Sequence, residues 1–368
     1  MSNFDVANIA LQAVCPSNEM LYDDKGMPSV MVKIPKQTWV DLGVGTSTDT
    51  FPAWIINGHE VDYIYFSKYE PIVFNSRAYS LPAQDPATAM NLDTAATYCS
   101  NKGEGWHLQT RLEWMAIALW CLKNKTLPYG NNNFGKDSRE TLYKAIPSCA
   151  KDAEGRIQRV ATGTGPISWS HNREQDGIWD MNGNIWEWVG GVRLVYGELQ
   201  VISNDGITFG NDAADPDNSQ SETSTLWRAI DGTTGALITP NGKGTTANSL
   251  KLDFVNNAWK WITGAISSSS VEHRAAAFES TAIDDTVCDA AEHILQALGL
   301  YKTDFTEGVY EGDLFWAANG EAERSFFCGG GWHNSVPAGV FAVYANFSRA
   351  HLSGDLGFRP AYVELPTA

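Results

Sequence analysis

The closing stretch of the chain, Ser325 to Val363, limits most severely what the protein can fold into. It reads SFFCGGGWHNSVPAGVFAVYANFSRAHLSGDLGFRPAYV. Some positions read as framework: Gly329 to Gly331 with Trp332, then Ala338 to Val343, then Gly357 to Ala361. Between them stand His333, Ser335, Val336, Pro337, Tyr344, Phe347, His351, Leu352, Gly354 and Asp355, which share no chemistry. A strand holds its register through a repeating pattern. Here the pattern is present but broken by positions free to be anything. This texture predicts a rigid scaffold that displays a diversified surface.

The rest of the chain has the means to be that scaffold. With 368 residues, 43% of them hydrophobic, it can bury a sizeable core as one large or two smaller domains. Fourteen Trp scattered along the chain point to an aromatic-rich core of irregular shape. Acidic residues number 43 against 26 basic, a net charge of −17. That argues against nucleic acid or an anionic membrane as partner. The longest apolar run, Trp114 to Leu122, is too short to cross a bilayer, so no membrane insertion is expected. The six Cys form no Cys-x-x-Cys pair, and no basic secretory start precedes them. Reduced, mostly buried thiols and synthesis in a cytoplasm are the expectation.

Residues 1–28 read as an N-terminal arm or terminal segment, with an amphipathic helix from Asp5 to Val14 that ends before Pro16. Ser29 to Lys68 reads as strands, with Asn57-Gly58 as a hairpin turn. His59 beside Glu60 lacks a second His at ligand spacing. A helix follows with Asp93 as N-cap and Gly103 past its end. Thr110 and Glu113 form a capping box for a second helix, whose Leu112, Met115, Ala116, Leu119 and Trp120 predict one apolar face. Residues 127–148, with their Asn131 to Asn133 run, read as a solvated loop, and 157–165 as a strand.

Asp176 to Gly191 is the second informative stretch. Asn182-Gly183 predicts a tight turn, and Ile185, Trp186, Trp188 and Val189 a short aromatic strand. Glu187 between two Trp needs a partner, and Arg359 is the candidate. From Arg193 to about Leu314 the composition turns to Ser, Asp, Asn and Gly. This reads as a long insertion with mobile loops and an amphipathic helix near 285–299. Its Asp205 to Asp217 part offers oxygen ligands for calcium but lacks the spacing of an EF-hand loop.

The stretches Trp106 to Trp120, WHLQTRLEWMAIALW, and Asp180 to Val189, DMNGNIWEWV, resemble the signatures of the formylglycine-generating-enzyme-like (sulfatase-modifying-factor-like) branch of the C-type lectin fold. The closing CGGGWHN and GFRPA resemble that family's last segment. The resemblance covers roughly residues 28–191 and 324–364. It implies an α+β fold of short twisted antiparallel strands with two flanking helices, here with a long insertion. The implied organisation is 29–191 and 316–368 as a C-type lectin-like domain, 192–315 as the insertion, and 328–361 as a variable segment.

Within that branch the closing segment resembles the variable proteins of diversity-generating retroelements. In those proteins a C-terminal repeat is rewritten at adenines by an error-prone reverse transcriptase. Rewriting the AAC or AAT codons that such templates favour cannot yield Lys, Glu, Gln, Met or Trp. None of those five occurs from His333 to Leu356. The resemblance implies ligand-binding positions at His333, Asn334, Ser335, Val336, Pro337, Tyr344, Asn346, Phe347, His351, Leu352, Ser353, Gly354 and Asp355. Trp186, Glu187, Trp188, Trp332, Phe341, Phe358 and Arg359 would be scaffold, with Trp332, Val340, Phe341 and Phe358 packing against the Trp186–Trp188 layer.

The catalytic members of the branch bind copper through two closely spaced Cys near the C-terminus. This segment has one, Cys328, so a non-enzymatic reading is favoured. No cofactor is expected, with calcium left as an open alternative. The expected partner is a protein or glycan receptor on a target cell surface, with other virion proteins as further candidates. The expected location is a phage particle, after synthesis in the host cytoplasm. The alternatives are a formylglycine-generating-type oxidase and a cell-surface adhesin of a bacterial host.

Overall fold

The computed structural model describes residues 3–365; the first two and last three residues, where the expected arm begins and the expected lectin-like domain ends, lie outside it. Helix α1, Asn3–Val14, opens the chain and stops before Pro16, as the helical pattern predicts. The next strands build a five-stranded antiparallel sheet in the order Asn18–Tyr22, Pro28–Pro35, Tyr63–Ser67, Pro360–Tyr362, Trp106–Leu108. The chain's end thus sits between two strands from its first third, with Ala361 opposite both Phe66 and His107. The Asn57-Gly58 turn forms between Ile55–Ile56 and His59–Glu60, with φ of 51° and 77°.

Helix α2, Leu92–Ser100, is capped by Asn91, whose side chain accepts from Thr94 N–H at 2.9 Å. Asp93, the expected cap, lies inside the first turn, where its charge suits the positive helix end. Helix α3, Arg111–Asn124, begins with the complete Thr110–Glu113 capping box. It is not amphipathic: every residue from Arg111 to Leu119 is buried. The expected solvent side is covered by helix α4, Asp289–Ala297, and the turn after it. Arg111 donates to the carbonyls of Leu298 and Gly299 at 2.6 and 2.9 Å. A helix covered on all sides carries no polar face to read. Residues 157–165 form no strand, only an isolated bridge between Pro147 and Val160.

The second sheet has twelve strands and is centred on Trp186–Val195. Arg324–Cys328 pairs antiparallel on one side and Glu198–Ile202 on the other, while Leu356–Phe358 joins in parallel beside Trp186–Trp188. Beyond Arg324–Cys328 come Val343–Phe347, Leu314–Ala317 and Arg274–Ala277. The 192–315 stretch therefore supplies strands to the same sheet, and its Trp259 and Trp261 are fully buried in the main core. Its Asp-rich loop is anchored as well. Asp212 is buried and accepts from the N–H groups of Asn57 and Asn204 at 2.6 and 2.7 Å. Sequence polarity suggested mobility there because it does not show that the polar groups find partners.

Candidate functional site

The closing segment is held from beneath by a buried polar frame. Glu187 stands in the central strand between Trp186 and Trp188 and opposite Cys328. Arg359 Nε and Nη2 donate to its two carboxylate oxygens at 2.8 and 2.6 Å, a two-point pair that is 1% exposed on each side. Burial opposes the charge on Arg359, and Glu187 more than offsets it, leaving the guanidinium pKa above its ordinary value. Two further buried carboxyls, Glu70 and Asp180, face the same guanidinium. Burial lifts Glu70 well above the carboxylate range and Asp180 to about 6.

Close backbone approach explains the glycine run. Gly329 and Gly330 have φ of 92° and 89°, and a Cβ on Gly330 would lie 2.3 Å from that of Ala338. The loop that follows is tied at its far end. Trp114 Nε1 donates to Val340 O at 2.8 Å, and Phe341 N donates to the buried Asp313 carboxyl at 2.8 Å. Asn131 and Asn132, expected in a solvated loop, are buried under it. Asn132 O accepts from Ser335 N at 2.7 Å, and Asn131 Nδ2 donates to Asn184 Oδ1 at 3.2 Å. A run of Asn reads as loop in a sequence, yet its amides here satisfy backbone and side chains in the interior.

The expected scaffold residues divide. Phe358 packs with Trp186, Trp188 and Phe327. Val340 and Phe341 instead join the main core, where Phe341 meets Tyr310 and Phe278 at centroid distances of 4.8 and 5.4 Å. Trp332 is only half-buried, beside His333, because its place in the loop puts it past the end of the strand.

None of the thirteen candidate positions is buried, whereas every residue from Ala338 to Val343 between them is. His333, Val336, Leu352 and Gly354 are exposed, and the other nine are half-buried. The structure brings seven of them together in two groups. Tyr344 and Phe347 stack with centroids 5.6 Å apart and planes within 10°, and His351 lies flat on Phe347 at 3.7 Å. In the second group His333 Nε2 is 3.9 Å from the Asp355 carboxylate, to which Ser353 also donates, while Asn334 accepts from Gly331 N–H at 2.8 Å. Trp186 joins the groups: its N–H donates to Asp355 O at 2.8 Å, and its ring meets Tyr344 edge-on at 5.5 Å. Val336 lies apart, against Gly312.

Two aromatic members of this surface, Trp316 and His273, and one buried ring beneath it, Phe327, escaped the sequence reading. Phe327 stacks on Tyr344 at 4.9 Å, Trp316 at 5.3 Å, and the exposed His273 ring lies 6.0 Å away. Trp316 and His273 belong to the 192–315 region and its edge. Only the pairing of Leu314–Ala317 with Val343–Phe347 carries them here. The alternation of Leu314 and Trp316 with buried Phe315 and Ala317 was the available signal.

A polar cavity of about 800 Å³ beside His59, Glu104 and Asp215, and an apolar one of about 270 Å³ beside Trp120 and His171, include none of the thirteen positions. Among the described residues no group of three or more His, Cys, Asp or Glu side chains converges as a metal site. The Asp205 carboxylate is engaged by the N–H groups of Ile207 and Thr208. All six Cys are free. Cys328 is buried and receives a hydrogen bond from Arg111 at 2.7 Å; burial lifts its pKa to about 11, with Arg111 acting against that rise.

Residues 46–195 match the family described as sulfatase-modifying factor enzyme 1-like domain. The chain has the α+β, formylglycine-generating-enzyme-like C-type lectin fold. The match ends at Val195, so the closing segment lies outside it. No curated protein matches the chain by sequence. Among solved structures, the chain is similar to PvdO from Pseudomonas aeruginosa at 12% identity and a TM-score of 0.30, covering 94% of this chain and 98% of that one. Treponema denticola variable protein 1 gives 11% and 0.33, covering 95% and 100%. The P3c variant of Major Tropism Determinant gives 9% and 0.30, covering 94% and 71%. Among the described residues no helix is long and apolar enough to cross a membrane.

Proposed function

We propose that this protein binds a protein or glycan receptor on a target cell through the surface of its closing segment, and that a diversity-generating retroelement rewrites that surface. The thirteen positions His333 to Pro337, Tyr344, Asn346, Phe347 and His351 to Asp355 are the ligand-binding set. The observation that carries the reading is the division of the segment: framework positions other than Trp332 are buried, while none of the thirteen is. The absence of Lys, Glu, Gln, Met and Trp from residues 333–356 supports adenine-directed rewriting as the source of the variety. Residues 29–191 and 316–368 make the lectin-like scaffold, with 192–315 as an insertion that extends its sheet. Attachment of a phage to its host is the setting this reading favours, and no catalytic step is assigned.

Sequencing the DNA around the coding region tests the reading. The expected result is a near-identical repeat of the closing segment, with adenines at the codons of the thirteen positions, beside a reverse transcriptase gene. Absence of such a repeat, together with copper-dependent oxidation of a cysteine peptide by the purified protein, would overturn it in favour of the oxidase alternative.

A further inference from the structure

We propose that the binding surface continues past the closing segment onto Trp316 and His273, and that this constant side, together with Asp355 as it stands in this chain, receives the guanidinium of an arginine in a protein partner. The inference rests on the ligand-surface reading above. Val343–Phe347, which carries Tyr344 and Phe347, pairs with Leu314–Ala317, and Trp316 stands directly beside Tyr344 in register. Their rings lie 5.3 Å apart and within 19° of parallel. From below, Trp186 meets Trp316 edge-on at 5.6 Å, which fixes its orientation. Next to the paired strand Arg274–Ala277, His273 leaves its ring exposed 6.0 Å from Tyr344.

Rewriting of AAC or AAT codons cannot produce Trp, so the largest ring on the platform comes from outside the rewritten stretch. Trp316 does so and persists whichever residue occupies position 344. A half-buried indole whose orientation is fixed by neighbouring rings is the kind of side chain that dominates binding.

The charges around the rings select the partner. Arg349 is spent on Glu323 and Asp93, and Arg159 on Asp85 and, at 3.1 Å, the Gly354 carbonyl. The Asp355 carboxylate keeps part of its surface open; Ser353 donates to it, His333 lies 3.9 Å away, and His351 and Tyr344 are close enough to feel its charge. Aromatic faces next to a carboxylate favour a flat cation, and arginine stacks on rings where lysine acts as a point charge. The net charge of −17 also disfavours an acidic partner.

A displayed library of random twelve-residue peptides, selected on the immobilised full chain, tests this. Recovered peptides are expected to share an arginine. A synthetic copy should bind at least tenfold more weakly to Trp316→Leu, threefold more weakly to His273→Ala, and tenfold more weakly once its arginine is lysine. His273 is exposed, so its variant remains informative even if Trp316→Leu fails to fold. Peptides that lose binding on Tyr344→Ser or Phe347→Ser but keep it within twofold on Trp316→Leu and His273→Ala would sink the constant side alone. Recovered peptides without arginine would sink the choice of partner. Should no peptide depend on Tyr344 or Phe347, or should only immobilised oligosaccharides bind, this inference falls; in the first case, with no oligosaccharide bound either, the ligand-surface reading falls too.

Discussion

Arg359 and Glu187, 172 positions apart in the chain, meet as a two-point ion pair from which solvent is excluded. The pair joins the last framework motif to the central strand, where Leu356–Phe358 lies parallel to Trp186–Trp188. Two charges removed from water are costly unless each meets the other well. Arg359→Met or Glu187→Gln should each destabilise the fold by about 3–5 kcal/mol in urea unfolding. The double replacement Glu187→Leu with Arg359→Met should recover a large part of that loss. Single variants as stable as the parent would show that the pair does not hold the segment.

The capping box at α3 gives a smaller and more local test. Thr110 accepts from Glu113 N–H at 3.2 Å, and Glu113 accepts from Thr110 N–H at 2.9 Å. Thr110→Ala should cost about 1 kcal/mol, and Thr110→Ser should cost less than half of it, since the hydroxyl is kept.

Framework and displayed positions should separate in stability. His333→Ala, Val336→Ser and Leu352→Ser remove exposed side chains and should each shift unfolding free energy by no more than about 0.5 kcal/mol. Phe341→Ala, five to eleven positions away from them, should cost about 3–5 kcal/mol through the cavity left among Phe278 and Tyr310. A loss above 2 kcal/mol at Leu352 or Val336 would count against their being free to vary.

Two buried groups give the protein opposing pH dependences. Burial raises the Asp180 carboxyl from 3.8 to about 6, so the folded state holds a proton that the unfolded state has released. Its contribution to stability is therefore lost as pH rises from about 4 through 6. Burial lowers His171 from 6.5 to about 4, so its contribution is present above about 6.5 and lost as pH falls through 4. The two slopes offset each other in the same window. Asp180→Asn should raise stability above pH 6, by on the order of 2–3 kcal/mol, and make the loss on acidification steeper. An unchanged profile from urea melts at pH 4 to 7.5 would mean that Asp180 ionises normally.

How much was legible varied with how local the cause was. The Thr110–Glu113 cap and the Asn57-Gly58 turn depend on residues three apart or adjacent, and both stand as read. The Glu187–Arg359 pair was also legible, because a carboxylate between two tryptophans in a core strand needs a cation and GFRPA offers one. The strand expected at 157–165 and the cap at Asp93 were misread, since turn residues and Asx caps compete over one or two positions.

The sequence by itself determined the fold type, the Glu187–Arg359 pair and the alternation of buried with unburied positions along the closing segment. These follow from side-chain chemistry and short-range pattern. Only the tertiary structure decided that the 192–315 stretch lends strands to the central sheet, that α4 covers α3, and that Trp316 and His273 stand beside Tyr344. Those outcomes depend on which strands pair across distant stretches of chain. Strand pairing satisfies the same backbone groups whatever the residues, so one sequence does not announce its partners.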